Sequence, residues 1–360
     1  MSISTSNSVT LAYVGIVGLF ALSSFVIVPT NVLIVSISCF ILWIGSFDAL
    51  RAKLSAEAGD GDVEFETMTA EDAAMFPVFG SCALFSLYIM FKFFDKYYVN
   101  LLLSTYFCVV GIYTLAVTLQ PLLGAIFGTN HKEFKFEFNL PYFGKQKLQF
   151  TWVDAVGFVL ASCASGMYLK TKHWALNNFF GVAFSIQGIK QISLGSYKVG
   201  AILLAGLFLY DIFWVFGTEV MVTVARSFEA PIKLLFLREF ATKDSKAQFS
   251  MLGLGDIVIP GIFVALLLRF DAHQQQVKAY DDDFHKPCFH TTMFGYFLGL
   301  LTTVFVMYLF EAAQPALLYL VPAVLGASFL AAFKRGEVAD LLAYSEEPEE
   351  DEDKKDKKEK

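Results

Sequence analysis

The stretch Gly253-Leu254-Gly255-Asp256-Ile257-Val258-Ile259-Pro260-Gly261-Ile262-Phe263-Val264-Ala265-Leu266-Leu267-Leu268 decides the class of this protein. It is apolar for most of a bilayer's thickness, yet it carries a carboxylate. About 20 consecutive apolar residues cross roughly 30 Å of hydrocarbon, and a lone charge at that depth is costly enough to be turned toward protein or trapped water. Runs of the same kind recur along the 360 residues, at about 9–28, 32–50, 76–94, 99–126, 152–169, 174–194, 197–219, 251–269, 291–310 and 315–333. With 56% hydrophobic residues, the chain reads as an all-α polytopic membrane protein. Pro29-Thr30-Asn31 is a turn signal between the first two runs. It leaves two readings open: two full spans, or one span plus a re-entrant or interfacial hairpin.

The net charge of -7 is concentrated in two places. Residues 54–75 hold seven acids and no Lys or Arg, and residues 346–360 hold nine acids against five Lys. Both read as solvated loop and tail, so the charge implies no nucleic-acid partner. This divides the chain into residues 1–75 (an apolar hairpin or first spans plus the acidic loop), a helix bundle at 76–194, a second membrane domain at 195–344, and a charged tail at 345–360. The N-terminus lacks the charged n-region of a secretory signal, and the first run is expected to be retained. The five Cys show no disulfide or zinc spacing, and no metal or other cofactor is expected.

A second carboxylate, Asp211 in Leu209-Tyr210-Asp211-Ile212-Phe213-Trp214, lies in the run before that of Asp256. If those runs end near Glu219 and begin near Gln248, each Asp sits eight residues from a polar boundary on the same side, about 12 Å deep at 1.5 Å per residue. Equal depth on neighbouring antiparallel helices lets the side chains meet. Two carboxylates that close cannot easily both ionise and tend to share one proton. One can then take a proton from a water that attacks an amide carbonyl, while its protonated partner hydrogen-bonds the carbonyl oxygen.

The flanks of Asp256 suit this. Gly253 and Gly255, on either side of Leu254, permit close backbone approach, and Pro260 cannot donate the bond that the Asp256 carbonyl would otherwise accept. Gln314-Pro315-Ala316-Leu317, followed by Pro322, reads as another broken helix, whose free backbone could hold a substrate strand. Residues 220–237 are apolar but interrupted by Arg226, Glu229, Pro231 and Lys233, and read as an interfacial segment near the mouth of the site. The same residues fit an ion or proton-coupled transporter or channel, and a non-cleaving membrane scaffold is a further reading. The five His fall in or beside loops, and no His-Glu-x-x-His occurs, which disfavours serine and metalloprotease chemistry.

Tyr210-Asp211, Gly253-Leu254-Gly255-Asp256 and Pro315-Ala316-Leu317, in that order and each in its own apolar run, resemble the signal peptide peptidases, GxGD intramembrane aspartyl proteases related to presenilin. The flanks Tyr210–Phe236, Met251–Asp271 and Gln314–Ala323 look similar almost throughout. The resemblance implies a bundle of about nine transmembrane helices and an aspartic endopeptidase with Asp211 and Asp256 as its catalytic pair. Tyr210, Gly253, Leu254, Gly255 and Pro260 would then support the site, and Gln314, Pro315, Ala316 and Leu317 would position substrate. It further implies transmembrane peptide substrates in the lipid bilayer (signal peptide remnants and type II or tail-anchored helices), with homo-oligomers and degradation-machinery partners compatible. The N-terminus would be lumenal and the C-terminus cytosolic. Nine spans leave one crossing for residues 9–50. Lys357 and Lys358, fourth and third from the end, match a dilysine retrieval signal of the endoplasmic reticulum membrane, which works on a cytosolic tail.

Overall fold

A computed structural model describes residues 5–58, 67–128, 134–140, 144–239, 248–280, 283–310 and 314–346. Each apolar run forms a helix. In chain order these are α1 (Thr5–Phe25), α2 (Thr30–Glu57), α3 (Ala70–Phe93), α4 (Lys96–Phe127), α5 (Trp152–Thr171), α6 (Trp174–Gln191) and α7 (Tyr197–Phe216). After the short α8 (Val220–Ser227) come α9 (Gly255–Gln274), α10 (Pro287–Phe310), α11 (Leu317–Arg335) and α12 (Val338–Ala343). Eight are long and apolar enough to cross a membrane, while α6 and α9, at 18 and 20 residues, are also long. The protein is therefore an all-α multi-pass membrane protein.

Polar caps set the helix ends. Thr69 with Asp72 and Thr151 with Asp154 form reciprocal capping boxes on α3 and α5, satisfying first-turn N–H groups that would otherwise be orphaned. Asp271 does the same across helices: its carboxylate accepts from Cys288 N at 3.3 Å and Phe289 N at 2.8 Å, at the start of α10. It therefore caps one helix from the end of another.

α9 is the axis of the bundle, buried nearly all round from Ile262 to Ala272 and enclosed by α2, α6, α7, α10 and α11. α10 and α11 pack most closely through Gly295 and Gly299. A Cβ at Gly295 would lie 2.5 Å from Ala327 Cβ and 2.7 Å from the Ala323 carbonyl oxygen. Small residues four apart on both helices bring backbones together where no hydrophobic force separates helix from lipid.

α1 packs back along α2, with Trp43 Nε1 donating to Ser8 Oγ at 3.4 Å. It is a single helix of 21 residues. Its start lies at the same end of the bundle as Glu346, since Lys190 lines both a cavity containing Thr10 and one containing Glu346.

Among the described residues three two-stranded sheets accompany the helices. β1 (Thr67–Met68) pairs in parallel with β4 (Ser193–Leu194), while β2 (Phe134–Leu140) and β3 (Gly144–Phe150) form an antiparallel pair. β5 (Lys233–Glu239) and β6 (Gln248–Gly253) also pair antiparallel. Residues 220–237 are thus no single interfacial segment: α8 is followed by a strand whose Leu234 and Phe236 enter the core. Glu346, grouped with the tail by charge, is also folded in, with its side chain 3% exposed and paired to Arg269 at 2.9 Å and Lys53 at 3.1 Å. Lys357 and Lys358 lie outside the described residues.

Candidate active site

Asp211 sits one turn before the end of α7, 4% exposed. Its Oδ2 accepts the backbone N–H of Leu317 at 3.0 Å. Leu317 is the first residue of α11, so its N–H is one of those that have no partner within the helix. The Pro-Ala-Leu segment is thus the start of a helix, where an anion is favoured, and not a break within one. Pro315 and Ala316 precede the helix, Pro322 lies inside it, and Gln314 Oε1 accepts from Tyr319 Oη at 3.4 Å.

Asp256 is the second residue of α9, half-buried and within electrostatic reach of Asp211. Asp211 on α7 and Asp256 on α9 therefore act on one another electrostatically. The route to Asp256 differs from a helical descent, because Gln248–Gly253 is a strand rising about 3.3 Å per residue. Leu254 joins strand to helix: its N–H donates to the Ile232 carbonyl at 3.1 Å, and its own carbonyl accepts from Val258 N at 2.8 Å. A Cβ at Gly253 would lie 3.4 Å from Asp256 Oδ2, whereas Gly255 faces open space apart from Ile259 at 3.9 Å. Crowding is therefore felt at Gly253.

Pro260 is buried inside an otherwise continuous α9, and it does orphan the Asp256 carbonyl. Tyr296 Oη, from α10, approaches that oxygen at 3.4 Å. Tyr296 is wholly buried and was not legible as a site residue, since nothing in its own run marks it. Tyr210 faces α3, where a Cβ on Gly80 would lie 3.5 Å from its ring. The neighbouring Trp214 donates from Nε1 to Ser81 Oγ at 3.0 Å.

The β5–β6 hairpin ends three residues before Asp256. Its outer β5 edge is sealed by α6: Asn178 Oδ1 accepts from Leu235 N and its Nδ2 donates to Leu235 O, both at 2.7 Å, and Asn177 Nδ2 donates to Lys233 O at 2.7 Å. Among the described residues β6 has β5 as its one strand partner, which leaves an edge able to accept another strand. The sequence signal for this was the pair of amides inside the apolar run 174–194. No group of three or more His, Cys, Asp or Glu positioned for a metal occurs among the described residues.

A family model described as signal peptide peptidase matches residues 60–348. The chain is 46% identical over 309 residues to the signal peptide peptidase of Mus musculus, covering 83% of this chain and 79% of that protein. It is 45% identical over 309 residues to the signal peptide peptidase of Homo sapiens, covering 83% and 80%. A probable intramembrane protease of Schizosaccharomyces pombe is 35% identical over 321 residues, covering 89% and 96%.

Proposed function

The chain belongs to the signal peptide peptidase family of intramembrane aspartyl proteases, and on that premise we propose that Asp211 and Asp256 share the proton and the water that hydrolyse its substrates. The observation that carries this reading is that Asp211, anchored by the Leu317 N–H at the start of α11, lies within electrostatic reach of Asp256 on α9. One carboxylate removes a proton from water as it attacks the scissile carbonyl. The other, protonated, donates to the oxygen on which charge develops. The Leu317 N–H orients Asp211, leaving its second oxygen for the chemistry.

A helical substrate hides its amides in i to i−4 bonds and must be unwound before attack. The free edge of β6 and the chain before α11 flank the pair, so an extended substrate segment added to β6 would present its carbonyl to Asp256. Gln314, Pro315 and Ala316 would bound that segment. Family membership disfavours the transporter and non-cleaving scaffold readings.

The substrates proposed are signal peptide remnants and other type II or tail-anchored transmembrane helices, and the compartment proposed is the endoplasmic reticulum membrane. The C-terminus is placed in the cytosol, where Lys357 and Lys358 would be read. The nine-span pattern puts the N-terminus in the lumen, whereas a full crossing by α1 returns it to the cytosol. A glycosylation acceptor introduced ahead of Thr5 separates the two. Homo-oligomers and degradation-machinery partners complete the proposal and are tested by native molecular mass and by tail deletion.

The deciding experiment is cleavage of a synthetic signal peptide by purified protein, beside Asp211→Ala and Asp256→Ala. Loss of cleavage in both, with folding intact, is expected. Undiminished turnover in either removes the pair from the mechanism.

A further inference from the structure

The strongest unassigned feature is a cavity of about 670 Å³ between α1, α2, α4, α5 and α6, away from the aspartate pair. Its polar wall is made by Tyr13, Asp48, Arg51, Lys190 and Tyr280. Asp48 and Arg51 are three apart on α2 and so share a face, and the Asp48 carboxylate lies within electrostatic reach of both Arg51 and Lys190. The Arg51 guanidinium sits 5.5 Å over the Tyr280 ring. Among the described residues that line the cavity, one negative charge stands against two positive ones.

Tyr13 is 5% exposed and packs into the wall with its ring. Val9, Leu122 and Val153 add apolar wall, and Thr10, Ser55, Gln120, Thr151 and Gln187 add uncharged polar groups. The cavity lies at helix ends: Lys190 is the penultimate residue of α6, and Gly128 directly follows α4. Ends of spanning helices are where a bundle meets lipid headgroups.

We propose that this cavity binds the phosphodiester headgroup of an anionic phospholipid, with Arg51 and Lys190 neutralising the phosphate, and Val9, Leu122 and Val153 taking the glycerol and upper chains. A single negative charge balances the site, so phosphatidylinositol or phosphatidylglycerol fits better than zwitterionic phosphatidylcholine. Basic pockets between membrane helices at headgroup depth recognise anionic lipids by this chemistry. The assignment does not depend on the proteolytic reading.

The test uses the full chain, purified and stripped of lipid in detergent. Binding is followed by native mass spectrometry and by the midpoint of thermal unfolding, with short-chain phosphatidylinositol, phosphatidylcholine or inorganic phosphate added. Phosphatidylinositol is expected to bind and raise the midpoint, with phosphatidylcholine weaker by about tenfold, the worth of one hydrogen bond to a charged group. Lys190→Gln and Arg51→Gln should each lose about tenfold in affinity, and Lys96→Gln, exposed at the start of α4, nothing.

The double variant Arg51→Gln with Lys190→Gln discriminates a ligand role from a structural one: its lipid-free midpoint reads any structural cost, and loss of the phosphatidylinositol-induced rise reads the ligand role. Equal responses to both lipids, or unaltered binding in the double variant, overturn the proposal. A shift produced by inorganic phosphate alone makes this a soluble-anion site and overturns the lipid assignment.

Discussion

Leu317 opens α11 by donating its backbone N–H to Asp211 Oδ2 at 3.0 Å. That bond joins two segments 106 residues apart in the chain, and makes the start of one helix a fixed partner of a carboxylate on another. Asp211→Asn retains an oxygen that can accept from Leu317 while removing the ionisable group. The variant is expected to fold and melt like the parent but to lose at least about 100-fold in turnover, the lower range for a general acid or base. A purified Asp211→Asn protein with parental kcat on the synthetic peptide would refute the assignment.

Tyr296 and Pro260 form a testable couple across α9 and α10. Pro260 deprives the Asp256 carbonyl of its helical donor, and the Tyr296 hydroxyl stands in for it at 3.4 Å. Tyr296→Phe should destabilise by about 1–2 kcal/mol and lower turnover. In Pro260→Ala the helix regains its own N–H, so adding Tyr296→Phe should then cost less than it does alone. Strict additivity of the two in thermal melts would show that the carbonyl does not link them.

Asn178 replaces a missing strand. Its amide makes two 2.7 Å bonds with the backbone of Leu235, sealing one edge of the hairpin so that the other is the edge on offer. Asn178→Leu leaves a buried N–H and a buried carbonyl unpaired, at about 1–3 kcal/mol each. The expected outcome is a lower melting midpoint together with a loss of cleavage, since the hairpin ends next to Asp256. Parental cleavage in a clearly destabilised Asn178→Leu protein would separate the hairpin from catalysis.

Glu346 ties the last described residues to the bundle. Burial alone would push its carboxyl up, but the Arg269 guanidinium and Lys53 ammonium, with bonds from Tyr344 and Arg269, hold it at about 2 against an ordinary 4.5. A group lowered in the folded state stabilises above its unfolded value, and that stabilisation is lost as pH falls from about 4.5 toward 2. The contribution at neutral pH is on the order of 3 kcal/mol. Melting midpoints of the parent should fall over that acidic window, and Glu346→Gln should melt lower at neutral pH with a flatter acid dependence. An unchanged midpoint at neutral pH in the variant would contradict the role.

Much of this protein is written locally. The apolar runs give ten long helices with boundaries shifted by a few residues, because about 20 apolar residues in lipid must satisfy their own backbone groups and a helix does so within one segment. The two intramembrane aspartates and the three ordered motifs mark the family for the same reason: a costly residue in hydrocarbon is visible against its neighbours. Pro260 even announces an orphaned carbonyl at Asp256.

What answers that carbonyl could not be read, because Tyr296 lies 40 residues away in a run where a tyrosine is unremarkable. The β5–β6 hairpin was hidden likewise, since apolar strands and apolar helix segments look alike until Asn177 and Asn178 claim the β5 backbone. Charge composition misassigned Glu346, whose burial depends on two cations from α2 and α9. Sequence determined which segments enter the membrane and which groups there are expensive; tertiary structure alone decided which partner each expensive group found, because those partners come from helices distant in the chain and meet only once the bundle has packed.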